Sequence, residues 1–123
     1  MKHYNILIVD DEKRYANMLA RRLALRGCAC EVCYSGGQAL EMLKRKQFFL
    51  TLLDLRLPDI YGIEVLTRIK SFCATMPVII LTAHGTEKDR TECMRQGAYA
   101  FIHKPLGIET MMTILEQIRG MSA

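Results

Sequence analysis

Residues 4–9 read Tyr-Asn-Ile-Leu-Ile-Val, a short, almost wholly apolar run rich in branched side chains, and they decide the fold. A strand with one wet face alternates apolar and polar residues. A run this continuous marks a strand buried on both faces, the habit of parallel sheets. Four runs of the same kind follow, at about 29–34, 49–53 (FLTLL), 78–81 (VIIL) and 100–102 (AFI). Helix-length stretches separate them. Tyr15, Leu19 and Leu23 recur at four-residue spacing, and Ile108, Met111, Leu115 and Ile118 alternate three and four, so each set lines one helical stripe. Boundary signals agree: Gly27 follows the first helix, Ser35-Gly36-Gly37 opens the second, and Pro77 and Gly97 punctuate the approaches to later strands. The pattern is (βα)5, an α/β fold. Its right-handed crossovers give a doubly wound, five-stranded parallel sheet covered on both sides. In such sheets ligands bind beyond the carboxyl ends of the strands, and that rule says where to look.

A chain of 123 residues, half of them hydrophobic, buries one sizeable core and is too short for two ordinary domains, so residues 1–123 are expected to form a single domain. No apolar run approaches the ~20 residues needed to span a bilayer. Met1-Lys2-His3 leads straight into the first strand without a cleavable signal, which makes the cytoplasm the expected compartment. The five cysteines fit a reducing compartment with free thiols. Cys30-Glu31-Val32-Cys33 has metal-site spacing, but in a strand positions three apart point to opposite faces, so the reading is structural. The net charge is +4, and Arg14, Arg21, Arg22 and Arg26 fall on one predicted helix. No aromatic residues interleave with them, so they read as a solvated face, and no nucleic-acid or membrane binding is expected of this domain. The fourth helix, roughly Glu87 to Gln96, has only Cys93 and Met94 as strongly apolar residues and is therefore lightly anchored.

Reading the strand ends in order gives Asp10 and Asp11 after the first strand, Asp54 after the third, Thr82 after the fourth and Lys104-Pro105 after the fifth. The fold brings all of these to one rim. Three carboxylates packed together raise one another's pKa unless a cation sits among them, and oxygen-only donors suit a hard ion such as Mg²⁺. Lys104 adds a fixed positive charge and Thr82 a hydroxyl donor, the equipment for stabilising a transferring phosphoryl group. Asp54 is then a carboxylate nucleophile. Taken singly, each residue has an ordinary reading as a turn former, a structural hydroxyl or a solvated lysine. The case rests on their joint placement.

The segments ILIVDDE (6–12), LLDLRLPDIYG (52–62), VIILTAHG (78–85) and GAYAFIHKP (97–105) closely resemble the response-regulator receiver family, over essentially the whole chain and in family order. The resemblance implies a flavodoxin-like fold with strand order 2-1-3-4-5. It also implies phosphorylation of Asp54 by a sensor histidine kinase, a phosphotransfer protein or a small phosphodonor. Asp11 would be a direct Mg²⁺ ligand, Asp10 would act through water, and Asp54 and the backbone carbonyl of Arg56 would complete the protein's share of the shell. Thr82 and Lys104 would contact the phosphoryl oxygens, with a cis peptide before Pro105. Phe101 holds the switch-aromatic position, whose ordinary reading is a half-buried strand residue. By the same analogy Thr82 moves toward the phosphate and Phe101 turns inward, altering the surface of the fourth helix, fifth strand and fifth helix. Arg56 and His84, each two positions beyond a site residue, are expected to gate the attacking water.

The implied activity is that of a switch that is catalyst and substrate of its own modification, not an enzyme. Two other classes compete with this one. A pseudo-receiver, an interaction module without phosphorylation, commonly lacks a site residue, and all five are here. A phosphatase with an aspartyl nucleophile wants a second carboxylate two residues after Asp54, where this chain has Arg56. Gly36-Gly37 belongs to no GxxxxGK[ST] loop, which removes the nucleotide-binding reading. GAYAFI and LTAHG look similar to receivers of transcriptional activators carrying an ATPase domain, so both an excised N-terminal module with a C-terminal output domain and a free-standing receiver stay open. So does a phosphorylation-dependent homodimer.

Overall fold

The computed structural model describes residues 4–122, so the expectation placed on Met1-Lys2-His3 lies outside the described residues. Strands and helices alternate: β1 (Tyr4–Val9), α1 (Lys13–Ala24), β2 (Cys28–Cys33), α2 (Gly36–Arg45), β3 (Leu50–Leu53), α3 (Gly62–Phe72), β4 (Val78–Thr82), α4 (Glu87–Arg95), β5 (Ala100–His103) and α5 (Ile108–Ser122). The strands form one parallel sheet in the order β2-β1-β3-β4-β5, the flavodoxin-like order expected. Boundaries move by a residue or two from the sequence reading. The second strand begins at Cys28 rather than Ala29, and the third at Leu50 rather than Phe49, whose ring instead lies 4.8 Å from that of Tyr4 at the sheet's lower edge.

Because successive strand residues face opposite ways, the sheet divides its apolar side chains into two cores. Leu7, Val9, Leu53 and Ile80 pack against α2, α3 and Cys93 of α4, while Ile6, Ile8, Leu52, Ile79 and Leu81 pack against α1 and α5. Each fully buried aliphatic side chain contributes about 1.5–3 kcal/mol. Cys33 belongs to the first core and Cys30 packs against the second, so the two thiols do face apart, and all five cysteines are free. Cys93 is the one buried residue of α4, and Met94 is 43% exposed, so this helix is as lightly held as its composition suggests. Helix α1 ends at Ala24, so Arg26 stands beyond it and pairs with Glu109 at 2.7 Å, while Arg14, Arg21 and Arg22 point to solvent. No helix among the described residues is long and apolar enough to cross a membrane.

Candidate functional site

The upper rim is built by extending the ladder one residue past β1, β3 and β5, with Thr82 the last residue of β4. The Asp10 N–H donates to the Cys33 carbonyl at 3.1 Å, the Asp54 N–H to Val9 at 3.0 Å and the Lys104 N–H to Thr82 at 3.0 Å. These bonds pin the backbone of the candidate residues to the sheet. Gly62 keeps the loop after Asp54 close, because a Cβ there would lie 2.5 Å from the Asp54 carbonyl oxygen, and its own N–H donates to Leu55 at 2.8 Å. Asp59 ties that loop to α2 by accepting from the Gly36 and Gly37 N–H groups at 2.9 and 2.8 Å.

Lys104 is the centre of the rim. Its side chain is 7% exposed, and its ammonium lies 2.7 Å from Asp10 Oδ2, 3.0 Å from Asp54 Oδ2 and 2.5 Å from Glu12 Oε1. It also sits 4.8 Å above the Tyr15 ring, and the Tyr15 hydroxyl accepts from the Leu106 N–H at 3.1 Å, which steadies the turn after the cis Lys104-Pro105 bond. Asp10, Asp54 and Thr82 are buried. Burial pushes the Asp10 carboxyl up to about 6, although Lys104 and the Glu12 N–H pull it down. For Lys104 burial works against the charged form, but its bonds to Asp10, Glu12 and Asp54 outweigh it and raise the pKa above the ordinary lysine value. Every buried polar side-chain atom among the described residues has a partner.

Sequence reasoning expected three carboxylates here, and three oxygens do gather within 4.8 Å, but they come from Asp10, Glu12 and Asp54. Asp11 stands exposed beside them. Arg56 is exposed too, and its N–H reaches Asp54 Oδ1 at 3.3 Å. Thr82 Oγ1 accepts from the His84 N–H at 3.3 Å, and the His84 side chain is exposed. Phe101 is not half-buried but 4% exposed. Its ring lies where a Gly85 Cβ would be, 2.2 Å from Cζ, with the Arg90 guanidinium 5.2 Å from its centroid and the His103 ring edge-on at 5.7 Å. Glu12 and Tyr15 went unnoticed as site residues. Glu12 directly follows the aspartate pair, and Tyr15 was absorbed into the apolar stripe of α1.

The donor set suits a hard cation: carboxylate oxygens only, two of them buried, with one carboxyl held above its usual range by desolvation. Chemically the rim can therefore hold an oxygen-binding metal and an anion on Lys104 together. A cavity of about 910 Å³ lies at the other end of the sheet, lined by Phe48, Phe72, Met76 and Tyr99 among others, and no strand-end residue reaches it.

The family model described as response regulator receiver domain matches residues 6–116. The transcriptional regulatory protein ZraR of Klebsiella oxytoca is 34% identical over 113 residues, covering 92% of this chain and 26% of that protein. GlrR of Escherichia coli strain K12, also a transcriptional regulatory protein, is 31% identical over 122 residues, or 99% of this chain and 28% of that one. The chain thus spans little more than a quarter of these relatives. Among solved structures, a CheY-like response regulator receiver domain protein from Methanospirillum hungatei JF-1 superposes with a TM-score of 0.90 at 26% identity, over 97% of this chain and 98% of that one. NtrX from Brucella abortus superposes at 0.88 and 27%, over 98% of this chain and 28% of its own. With the strand order and the Asp10, Asp54 and Lys104 rim already in place, these matches identify the chain as a member of the response regulator receiver domain family of two-component systems.

Proposed function

We propose that the chain accepts a phosphoryl group on Asp54 from a sensor histidine kinase or phosphotransfer protein, with Mg²⁺ as cofactor, and relays the change through its α4-β5-α5 surface. The observation that carries this reading is the buried ammonium of Lys104 joining Asp10 and Asp54 at 2.7 and 3.0 Å. A carboxylate nucleophile is paired there with a fixed cation in a water-poor site, where such interactions are strong. Asp10, Asp11, Asp54 and the backbone carbonyl of Arg56 would hold the ion, with Glu12 near enough to add to the field. When bound, Mg²⁺ supplies positive charge against the phosphoryl oxygens.

In the transfer, an Asp54 oxygen forms the new O–P bond as the donor's N–P bond breaks, and the leaving imidazole takes a proton from solvent. Lys104 and the Thr82 hydroxyl donate to phosphoryl oxygens, and Arg56 and His84 control the approach of water and thereby the lifetime of the adduct. The modification adds about −1.5 to −2 charges. It biases a two-state element only if its contacts differ between the states. Thr82 and Phe101 are that element. The lightly anchored α4, whose Thr86–Asp89 capping box reaches Tyr61 through Asp89 at 3.2 Å, is the surface that responds.

The domain is a switch and not an enzyme, and it acts in the cytoplasm as one folded unit without touching nucleic acid or membrane itself. In a longer protein it would govern a C-terminal output domain, and its similarity to transcriptional regulatory proteins favours transcription as the output. Phosphorylation-dependent pairing of two copies through the α4 face is part of the same reading. The test is reaction with phosphoramidate with and without EDTA, then borohydride reduction and peptide mapping. The label is expected on the peptide carrying Asp54 in the Mg²⁺ sample alone, and a label elsewhere would overturn the assignment.

A further inference from the structure

We propose that Glu12 is a placeholder on Lys104 for the incoming phosphoryl oxygen, an inference that rests on the receiver reading above. A lysine ammonium has three protons to donate and accepts nothing. Here three carboxylates surround it: Asp10 at 2.7 Å, Glu12 at 2.5 Å and Asp54 at 3.0 Å. An anion arriving on Asp54 therefore meets an ammonium whose donors are all engaged, and one contact has to open.

The three contacts are not equivalent. The side chains of Asp10 and Asp54 are 4% and 6% exposed, so releasing either leaves a buried carboxylate without its cation, whereas that of Glu12 is 59% exposed and water can replace Lys104 there. The buried pair is also fastened from behind. Asp10 Oδ1 accepts the Glu12 N–H at 2.9 Å and Asp54 Oδ1 the Arg56 N–H at 3.3 Å. Glu12 stands at the N-cap of α1 but its side chain makes no cap hydrogen bond, so nothing in the helix resists its swinging out. Glu12 thus keeps the ammonium satisfied at the mouth of the resting site, and its release hands Lys104 to the phosphoryl group. It is a positioning residue that acts through Lys104, and its contact weakens the affinity of the site for an anion by the strength of one exposed ion pair.

Two variants separate contact from charge. Glu12→Ala removes both. Glu12→Asp keeps the charge but draws the carboxylate back by about 1.5 Å, one C–C bond, which takes it out of hydrogen-bond range. Beryllofluoride, a phosphoryl mimic, is titrated by calorimetry at saturating Mg²⁺ into wild type, both variants and Asp54→Asn, while NMR of the Lys104 Nζ group reports the contact itself. The expected result is binding roughly two- to fivefold tighter in both variants, the gain set by an exposed pair, together with a Lys104 Nζ signal that moves in the metal-free variants. Tighter binding in Glu12→Ala with wild-type binding in Glu12→Asp would make the effect one of field alone and overturn the proposal, as would unchanged binding in both. Wild-type binding no different from that of Asp54→Asn would instead overturn the receiver reading, and the placeholder with it.

Discussion

Replacing Asp10 by asparagine should stabilise the metal-free protein, although Asp10 lies at the heart of the site. Burial carries its carboxyl from an ordinary 3.8 to about 6, even with Lys104 at 2.7 Å. At 1.36 kcal/mol per pKa unit, ionising Asp10 in the fold costs about 3 kcal/mol at neutral pH. Asparagine stands in for the neutral acid and keeps an acceptor for Lys104, and the charge-assisted bond it forgoes is already contained in the displaced pKa, so the gain is on the order of 3 kcal/mol. The pH dependence follows from the same displacement. A carboxyl whose folded pKa lies above its unfolded value holds its proton longer in the fold. Between about pH 4 and pH 6 the folded chain therefore binds more protons than the unfolded one, and stability falls as pH rises through that window. The assay is urea unfolding followed by circular dichroism, with EDTA, from about pH 4.5 to 7.5, for wild type and Asp10→Asn. The difference between them should open with rising pH and level off above the folded value. Millimolar Mg²⁺ should then narrow it or reverse it, because an ion bound by the native state alone stabilises by mass action and the variant offers it less charge. A variant less stable than wild type at pH 7.5 in EDTA would show that the ionised Asp10 carboxylate does not burden the metal-free fold.

Gly85→Ala would place a Cβ 2.2 Å from Phe101 Cζ and 3.0 Å from Thr82 Cγ2, so the Phe101 ring has to shift, at a cost of about 1–3 kcal/mol read by urea unfolding. Asp59→Ala removes the acceptor for the Gly36, Gly37 and Ile60 N–H groups and should cost about 1 kcal/mol at neutral pH. Burial works to raise the Asp59 pKa but those N–H groups prevail and hold it below 3.8, so its contribution is full above that pH and fades as the pH falls further, where the two unfolding curves should converge. Burial pushes Cys30 and Cys33 each up to about 12, so iodoacetamide should label both far more slowly than a free cysteine at pH 7.5, and the intact fold should take up no zinc at that pair.

The strands announced themselves because their signal is local: a parallel strand buried on both faces has to be apolar at nearly every position, and 4–9, 50–53 and 78–82 are. The residues of the rim were legible for the same reason, since topology alone carries the end of every strand to one edge. What stayed hidden depends on contacts between distant residues. Glu12 and Lys104 are 92 positions apart, and nothing in helical periodicity says that the side chain after an aspartate pair turns back over the sheet. Tyr15 satisfied the α1 stripe and so concealed its second task, under Lys104. Phe101 sits on β5, the edge strand, and its burial depends on the missing side chain at Gly85, a relation between a loop and a strand that no spacing rule contains. Helix α4 was read correctly from a lack, because a nine-residue helix with one buried side chain has little to hold it.

Whether Asp54 takes the phosphoryl group is decided by the intact mass of the protein after incubation with acetyl phosphate, with and without Mg²⁺, in wild type and Asp54→Asn. A gain of one phosphoryl group is expected in the wild type with Mg²⁺ present, and none in the variant or in EDTA. An adduct that persists in Asp54→Asn, or forms equally well without the metal, would contradict that expectation.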